Sequence, residues 1–206
     1  MRLRVLGVDP GLTRCGLGVV DGPPAAPSAV AMGVVRTAAD LPIERRLAAL
    51  HVAVADAIDR HGPDVVACER VLFSANARTA MGVGQAAGVA LLAAAQAGLP
   101  VASYTPTDVK STVAGHGSAD KQAVARMVAA QLRLAHRPTP ADVSDALAVA
   151  LCHLARARRV GDPDETNASG RLRSAEAAAK ADGAADWEAV LDRPHVRAVG
   201  GTRGER

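Results

Sequence analysis

The apolar positions of this chain change period as the sequence proceeds. Leu3–Val8 is a short apolar run halted by Asp9-Pro10-Gly11, and it reads as a buried strand. Cys15–Val20 forms a second strand and Ala29–Arg36 a third, entered after the Gly22-Pro23-Pro24 turn. The connections are short, which predicts an antiparallel meander. At Ile43 the spacing becomes helical. Ile43, Leu47, Leu50, Val54 and Ile58 share one face, and Gly62-Pro63 ends the run. Val65–Cys68 is apolar throughout and delivers Glu69. A long helix over Asn76–Gln96, a short strand over Val101–Ser103 and helices over Asp108–Val113, Ala119–Arg133 and Pro140–Arg159 follow. From Gly161 the periodicity dissolves into Gly, Asp, Ala and Arg. The pattern therefore divides the chain into a folded body, residues 1–160, and a tail, 161–206, expected to lack persistent structure apart from a transient helix near Ala175–Lys180.

Three antiparallel strands followed by alternating helix and strand predict an α/β fold: a mixed five-stranded sheet with helices on both faces. A right-handed crossover would lay Val65–Cys68 parallel to the first strand and beside it. Both strands then end at the same edge of the sheet, each in a carboxylate, Asp9 and Glu69.

Composition refines this picture. Apolar residues make up 49% of the 206 positions but aromatics only 1%, so the core must be built from Ala, Val and Leu. Any stacking on bases must come from Phe73, Tyr104, Trp187 or arginine planes. The net charge of +3 is unevenly placed. Residues 1–160 hold 17 Lys and Arg against 12 Asp and Glu, whereas 161–206 hold 7 against 9. The body is the basic part. Three scattered cysteines without a CxxC pair fit a reducing compartment and argue against a disulfide framework or a zinc knuckle. The apolar run at the N-terminus is too short for a signal peptide. The most apolar window, Val83–Val101, is rich in Ala, carries Gln85, Gln96 and Pro100, and reads as a buried helix rather than a membrane span. The expectation is a soluble, cytoplasmic protein without a membrane partner.

Two carboxylates at neighbouring strand ends repel each other, and a divalent cation with its preference for oxygen ligands offsets that repulsion. Asp142 and Asp145, three apart on a helix, share a face and supply two more. Four converging carboxylates suit two Mg²⁺ ions, which together clamp the attacking and leaving oxygens of a phosphodiester. Other uses of the same residues stay open here. Thr139-Pro140-Ala141-Asp142 is a good helix start, with Thr139 as N-cap, Pro140 at the first position and Asp142 in a capping role. Asp145 suits a solvated surface, and Asp9 suits a turn.

Five segments together go further. They are Leu6-Gly7-Val8-Asp9-Pro10-Gly11, Glu69-Arg70-Val71, Gly84-Gln85-Ala86-Ala87-Gly88, Gly115-His116-Gly117-Ser118-Ala119-Asp120-Lys121 and Asp142-Val143-Ser144-Asp145-Ala146-Leu147-Ala148. In order and spacing they resemble the motif series of the RuvC family of Holliday-junction resolvases, over about residues 3–155. The resemblance implies a ribonuclease-H-like fold and a homodimer. It implies metal-dependent cutting of two opposing strands of four-way junction DNA in recombination and repair, with Mg²⁺ or Mn²⁺, and cooperation with the RuvAB branch-migration complex. The family's four acidic ligands carry over to Asp9, Glu69, Asp142 and Asp145, and its flanking basic residues to Lys110 and Lys121. DNA contacts are expected from Gly115 and Gly117, whose loop lets backbone N–H groups approach a phosphate, and from Arg78. The family often has an aromatic three residues after the glutamate; this chain has Leu72 there and Phe73 next, so either is a candidate wedge between bases. The small residues of Asn76–Gln96 fit the family's dimer contact.

Three other readings share parts of this pattern. Asp9-Pro10-Gly11-Leu12-Thr13 resembles the first phosphate motif of sugar kinases and actin-like ATPases, but no second such motif or domain follows. A ribonuclease-H-like enzyme acting on RNA–DNA hybrids would share the carboxylates. A non-catalytic DNA-binding module would be weakened by four acids facing its ligand.

Overall fold

The computed structural model describes residues 2–70 and 77–157, with Ala77 and Arg78 placed by their backbone alone. Leu72, Phe73, the Arg78 side chain and the 161–206 tail lie outside the described residues. The elements run β1 (Leu3–Asp9), β2 (Arg14–Gly22), β3 (Ser28–Arg36), α1 (Ile43–His61), β4 (Val65–Glu69), α2 (Ala77–Gln96), β5 (Val101–Tyr104), α3 (Pro106–Ala114), α4 (Lys121–Gln131) and α5 (Ala141–Ala157). The five strands form one sheet in the order β3-β2-β1-β4-β5. The β1–β2 and β2–β3 pairs are antiparallel, and β1–β4 and β4–β5 are parallel. The meander and the parallel neighbour of β1 are thus as the sequence predicts.

Strand alternation sorts the core into two layers. Val5 of β1 and Val65 and Ala67 of β4 pack with α3, α4 and α5 through Val109, Val113, Val124, Val128, Leu147 and Leu151. Leu6, Val8, Val66 and Cys68 point the other way, onto Leu50, Val54 and Ile58 of α1 and Ala86, Ala90 and Ala94 of α2. By the same two-residue period, Asp9 and Glu69 emerge on the α5 side.

That side is unusually close to the backbone of α5. A β-carbon on Gly7 would lie 2.1 Å from the Ala146 carbonyl oxygen, and one on Gly16 2.0 Å from that of Asp142. One on Gly18 would stand 2.8 Å from the Leu147 side chain. Three glycines on one face of β1 and β2 therefore contribute no side chain of their own and let α5 lie close to the sheet at these points. Its first turn comes to rest beside the end of β1.

The helices depart from the sequence reading in four places. The buried stripe of α1 is Arg46, Leu50, Val54 and Ile58, while Ile43 is 41% exposed. α3 begins at Pro106 rather than Asp108, because Thr105 caps it. The Thr105 hydroxyl accepts from the Asp108 N–H, and Asp108 accepts in return from the Thr105 N–H. At α5, Pro140 follows a cis peptide and precedes the helix, which opens at Ala141, so Thr139 does not stand immediately before the first helical residue. Only the inner face of α2 is buried. Thr79–Gln96 is the one stretch among the described residues long and apolar enough to cross a membrane, with a mean hydropathy of 1.2, and its Ala86, Ala90 and Ala94 belong to the core. Cys15, Cys68 and Cys152 are buried free thiols.

Gly7→Ala and Gly16→Ala should each destabilise the fold by about 1–3 kcal/mol, since overpacking forces backbone to move. Gly33→Ala, on β3 where an added β-carbon meets nothing within 4 Å, should be neutral. Urea melts of the three variants make the comparison, and equal midpoints would show that α5 needs no bare backbone beneath it.

Candidate active site

Asp9 and Glu69 sit at the C-terminal ends of β1 and β4, two strands whose parallel register pairs Val8 with Cys68 one step earlier. The two side chains lie close enough to influence each other's protonation. Both line a cleft of about 450 Å³, together with Pro10, Arg70, Lys110, Lys121 and Asp145. α2 contributes Thr79, Ala80 and Val83 to the same cleft. The crossover of the chain at β4 and the seating of α5 on β1 thus bring residues 9, 69 and 145 to one place.

The cleft brings three carboxylates, Asp9, Glu69 and Asp145, close together, and burial makes that costly. The Asp9 carboxyl is pushed up to about 7, first by burial and then by the charges of Glu69 and Asp145. The Glu69 carboxyl is raised as well, by burial first and by Asp145 second. Cations of the chain relieve part of this. Lys121, the first residue of α4, donates to Asp145 at 3.0 Å, and that bond raises its own pKa. Lys110 lies near enough to draw the Glu69 carboxyl down. Lys121 stands where it does because Asp120 caps α4, accepting from the Ala123 N–H at 2.6 Å.

Asp142 behaves differently from the other three acids. It repels Asp9 but is not part of the cleft lining, and its carboxylate accepts from Arg14 at 2.5 Å. Its side chain thus has an ion-pair partner 128 residues away in sequence. As the side chains stand, no three His, Cys, Asp or Glu among the described residues are grouped to hold a metal. The donor set nonetheless fits a hard cation: oxygen ligands only, two of them half-buried, with the Asp9 carboxyl raised by burial and by the charges of its neighbours.

The two glycines expected to admit a phosphate have structural uses of their own. Gly115 ends α3 in the left-handed region with φ 87°, and its N–H donates to the Ser111 carbonyl at 3.1 Å. A β-carbon on Gly117 would press on Thr107 at 2.9 Å. His116 reaches Ser118 at 3.2 Å.

Sequence reasoning missed Arg46. It is 8% exposed, and its Nε and Nη2 donate to Thr37 Oγ1 at 2.9 Å and Thr13 Oγ1 at 2.7 Å. The Thr37 hydroxyl donates in turn to the Leu12 carbonyl at 2.6 Å. A buried arginine thereby clasps the 10–13 loop that leaves Asp9. The only signal in the sequence was a charged residue at i−4 from Leu50, on the face that continues through Val54 and Ile58.

Comparison with known proteins agrees with this architecture. The family model described as crossover junction endodeoxyribonuclease RuvC matches residues 5–153. Proteins of that description from Rhodococcus opacus (strain B4) and Paenarthrobacter aurescens (strain TC1) are 56% and 54% identical to it over 156 and 158 residues. These alignments cover 75% and 76% of this chain and 82% and 84% of theirs. Among solved structures, Thermus thermophilus RuvC in complex with Holliday junction substrate superposes with a TM-score of 0.73 at 41% identity, covering 76% of this chain and 95% of that one. The ribonuclease-H-like sheet, the acidic cleft and these matches lead to one conclusion: the chain belongs to the RuvC family of crossover junction endodeoxyribonucleases.

Proposed function

We propose that the protein resolves four-way DNA junctions in the cytoplasm by hydrolysing one phosphodiester in each of two opposing strands. The cleft carries this reading, since three carboxylates, two lysines and Arg70 line a single open groove in a basic body. The Thermus thermophilus protein that superposes on this chain is described in complex with the same kind of substrate.

Asp9, Glu69, Asp142 and Asp145 would hold divalent cations, two Mg²⁺ per subunit with Mn²⁺ as a substitute. Such ions supply Lewis acidity at the phosphate and lower the pKa of an attacking water. The chain's own groups do the remainder. Lys110 and Lys121 place positive charge where negative charge grows on the phosphate. Asp9 and Glu69 project from the ends of β1 and β4, and the strands hold these oxygen donors in fixed places. Arg70, at the mouth of β4, and Arg78, Gly115 and Gly117 are positioned in the chain to meet the DNA backbone, and Leu72 or Phe73 to meet a junction base. The nuclease domain occupies residues 1–160, and 161–206 are an appended tail. Cooperation with the RuvAB branch-migration complex rests on the family alone.

Paired cutting needs two sites, and the outer face of α2 supports a homodimer. An added β-carbon on Gly84 or Gly88 meets nothing within 4 Å, and Met81 and Leu92 on the same helix are 66% and 51% exposed. A two-fold axis at such a face sets two clefts against symmetry-related strands.

Three outcomes test this. Changing Asp9, Glu69, Asp142 or Asp145 to Asn should reduce junction cleavage by more than about a hundredfold, since disturbing groups behind a metal ligand already costs 10–100-fold. Junction binding should persist or tighten, and a gel assay with linear duplex and RNA–DNA hybrid as controls reads both. A variant that cuts at the wild-type rate removes its residue from the site.

The second outcome concerns pH. In the cation-free fold Asp9 holds its proton up to about pH 7, against an ordinary value of 3.8 when unfolded. Folding takes up that proton between the two values, so stability falls as pH rises from about 4 to about 7. Asp9→Asn removes the penalty. In EDTA the variant should melt above wild type, by a wider margin at pH 8 than at pH 5; a margin independent of pH would mean that Asp9 is not the strained acid.

The third outcome is oligomeric. Gly88→Glu favours the helix yet places a charge on the open face of α2, so light scattering should find a folded monomer whose cuts are unpaired nicks. A dimeric variant making paired cuts would move the interface elsewhere.

A further inference from the structure

The Arg14–Asp142 pair lies outside the cleft lining and has a use that the acidic cluster does not explain. Arg14 opens β2 two residues before Gly16, on the same face, where a β-carbon would strike the Asp142 carbonyl. The contact that seats α5 on the sheet therefore also brings the Asp142 carboxylate within reach of Arg14. Across the β2–β3 ladder the direct neighbour of Arg14 is Arg36, exposed and of like charge. Like charges opposite one another repel, and this bias turns the Arg14 guanidinium toward Asp142. The backbone beneath it is fixed, because the Thr37 N–H donates to the Thr13 carbonyl at 3.1 Å and Arg46 holds the Thr13 hydroxyl. The ion pair itself is open to water, with Arg14 44% and Asp142 22% exposed. An exposed pair of this kind is worth little and is readily exchanged.

We infer that Arg14 is an exchangeable counter-ion, held by Asp142 in the cation-free enzyme and passed to a phosphate oxygen of the DNA when a divalent cation takes Asp142. This rests on the assignment of Asp142 to the cation site. Asp142 cannot give the same oxygen fully to both partners, so cation and arginine compete for it. The guanidinium displaced from it has a planar fork of donors suited to phosphate. Arg36, opposite it on β3, adds a second exposed positive charge beside it. The cation takes over the neutralisation of Asp142, and the freed guanidinium charge becomes available to the DNA. Arg14 is a positioning residue for Asp142 in one state and a DNA contact in the other.

The test uses the full chain carrying Arg14→Gln, with Mn²⁺ alone as the first probe. Titration without DNA, followed by the resonance signal of free Mn²⁺, should show the variant binding about twofold to fivefold more tightly than wild type, the range set by an exposed ion pair. Unchanged or weaker Mn²⁺ binding overturns the exchange. The second probe is a synthetic four-way junction, bound at several salt concentrations in Ca²⁺ and again in EDTA. In Ca²⁺ the variant should lose about one from the slope of log affinity against log salt, one phosphate contact fewer. In EDTA, where Asp142 holds the arginine, the two slopes should agree. Equal slopes in Ca²⁺, or a difference of the same size in EDTA, overturns the inference. Wild type that takes up no Mn²⁺ overturns the cation-site assignment and this inference together; wild type that binds it while Arg14→Gln binds it identically overturns this inference alone.

Discussion

Everything at the functional end of the molecule depends on how closely α5 approaches the sheet. A helix normally rests on a sheet through side chains from both partners. Here Gly7, Gly16 and Gly18 withdraw the sheet's contribution, and the α5 backbone at Asp142 and Ala146 and the Leu147 side chain occupy the space. The first turn of α5 is consequently level with the end of β1, and Asp145 shares a cleft with Asp9 and Glu69. A side chain of ordinary size at any of the three glycines would lift the helix and spread the acids apart.

That closeness creates an electrostatic problem which the protein leaves partly unsolved. Burial raises the Asp9 and Glu69 carboxyls first, and the charge of Asp145 raises both further, so the cation-free site keeps at Asp9 a proton it would otherwise lose. Lys121 and Arg14 each take one of the α5 aspartates. The resulting balance is a poised one: Lys121 and Arg14 pair with the outer acids, and the carboxyls of the inner two are raised. A fold optimised for stability alone would have replaced Asp9 or Glu69 by an apolar residue.

Most of the architecture was legible in the sequence because strand alternation and helical spacing are local. Apolar runs stopped by Asp9-Pro10 and by Glu69 gave both the strands and the chemistry at their ends. The motif series gave the family, which the matches with known proteins support. What could not be read were the long-range partners. Nothing near Gly16 announces a helix turn from residue 142, and nothing near Arg14 announces Asp142. Arg46 was passed over because a charge on a helix is usually solvated, whereas here two threonine hydroxyls and no carboxylate accept from it. The start of α3 was legible and missed: Thr105-Pro106-Thr107-Asp108 carries a full capping signature.

The clasp around Arg46 bears on when the site loses its freedom. A loop of Pro10, Gly11, Leu12 and Thr13 would ordinarily sample many backbone states, and ordering it around a ligand would subtract from affinity. Here Thr37 holds the Leu12 and Thr13 carbonyls and Arg46 holds the Thr13 hydroxyl. The entropy of that segment is therefore lost once, during folding, by residues that lie behind the groove. The strand end bearing Asp9 is preorganised, and motion at substrate binding is left to side-chain heads on a rigid frame.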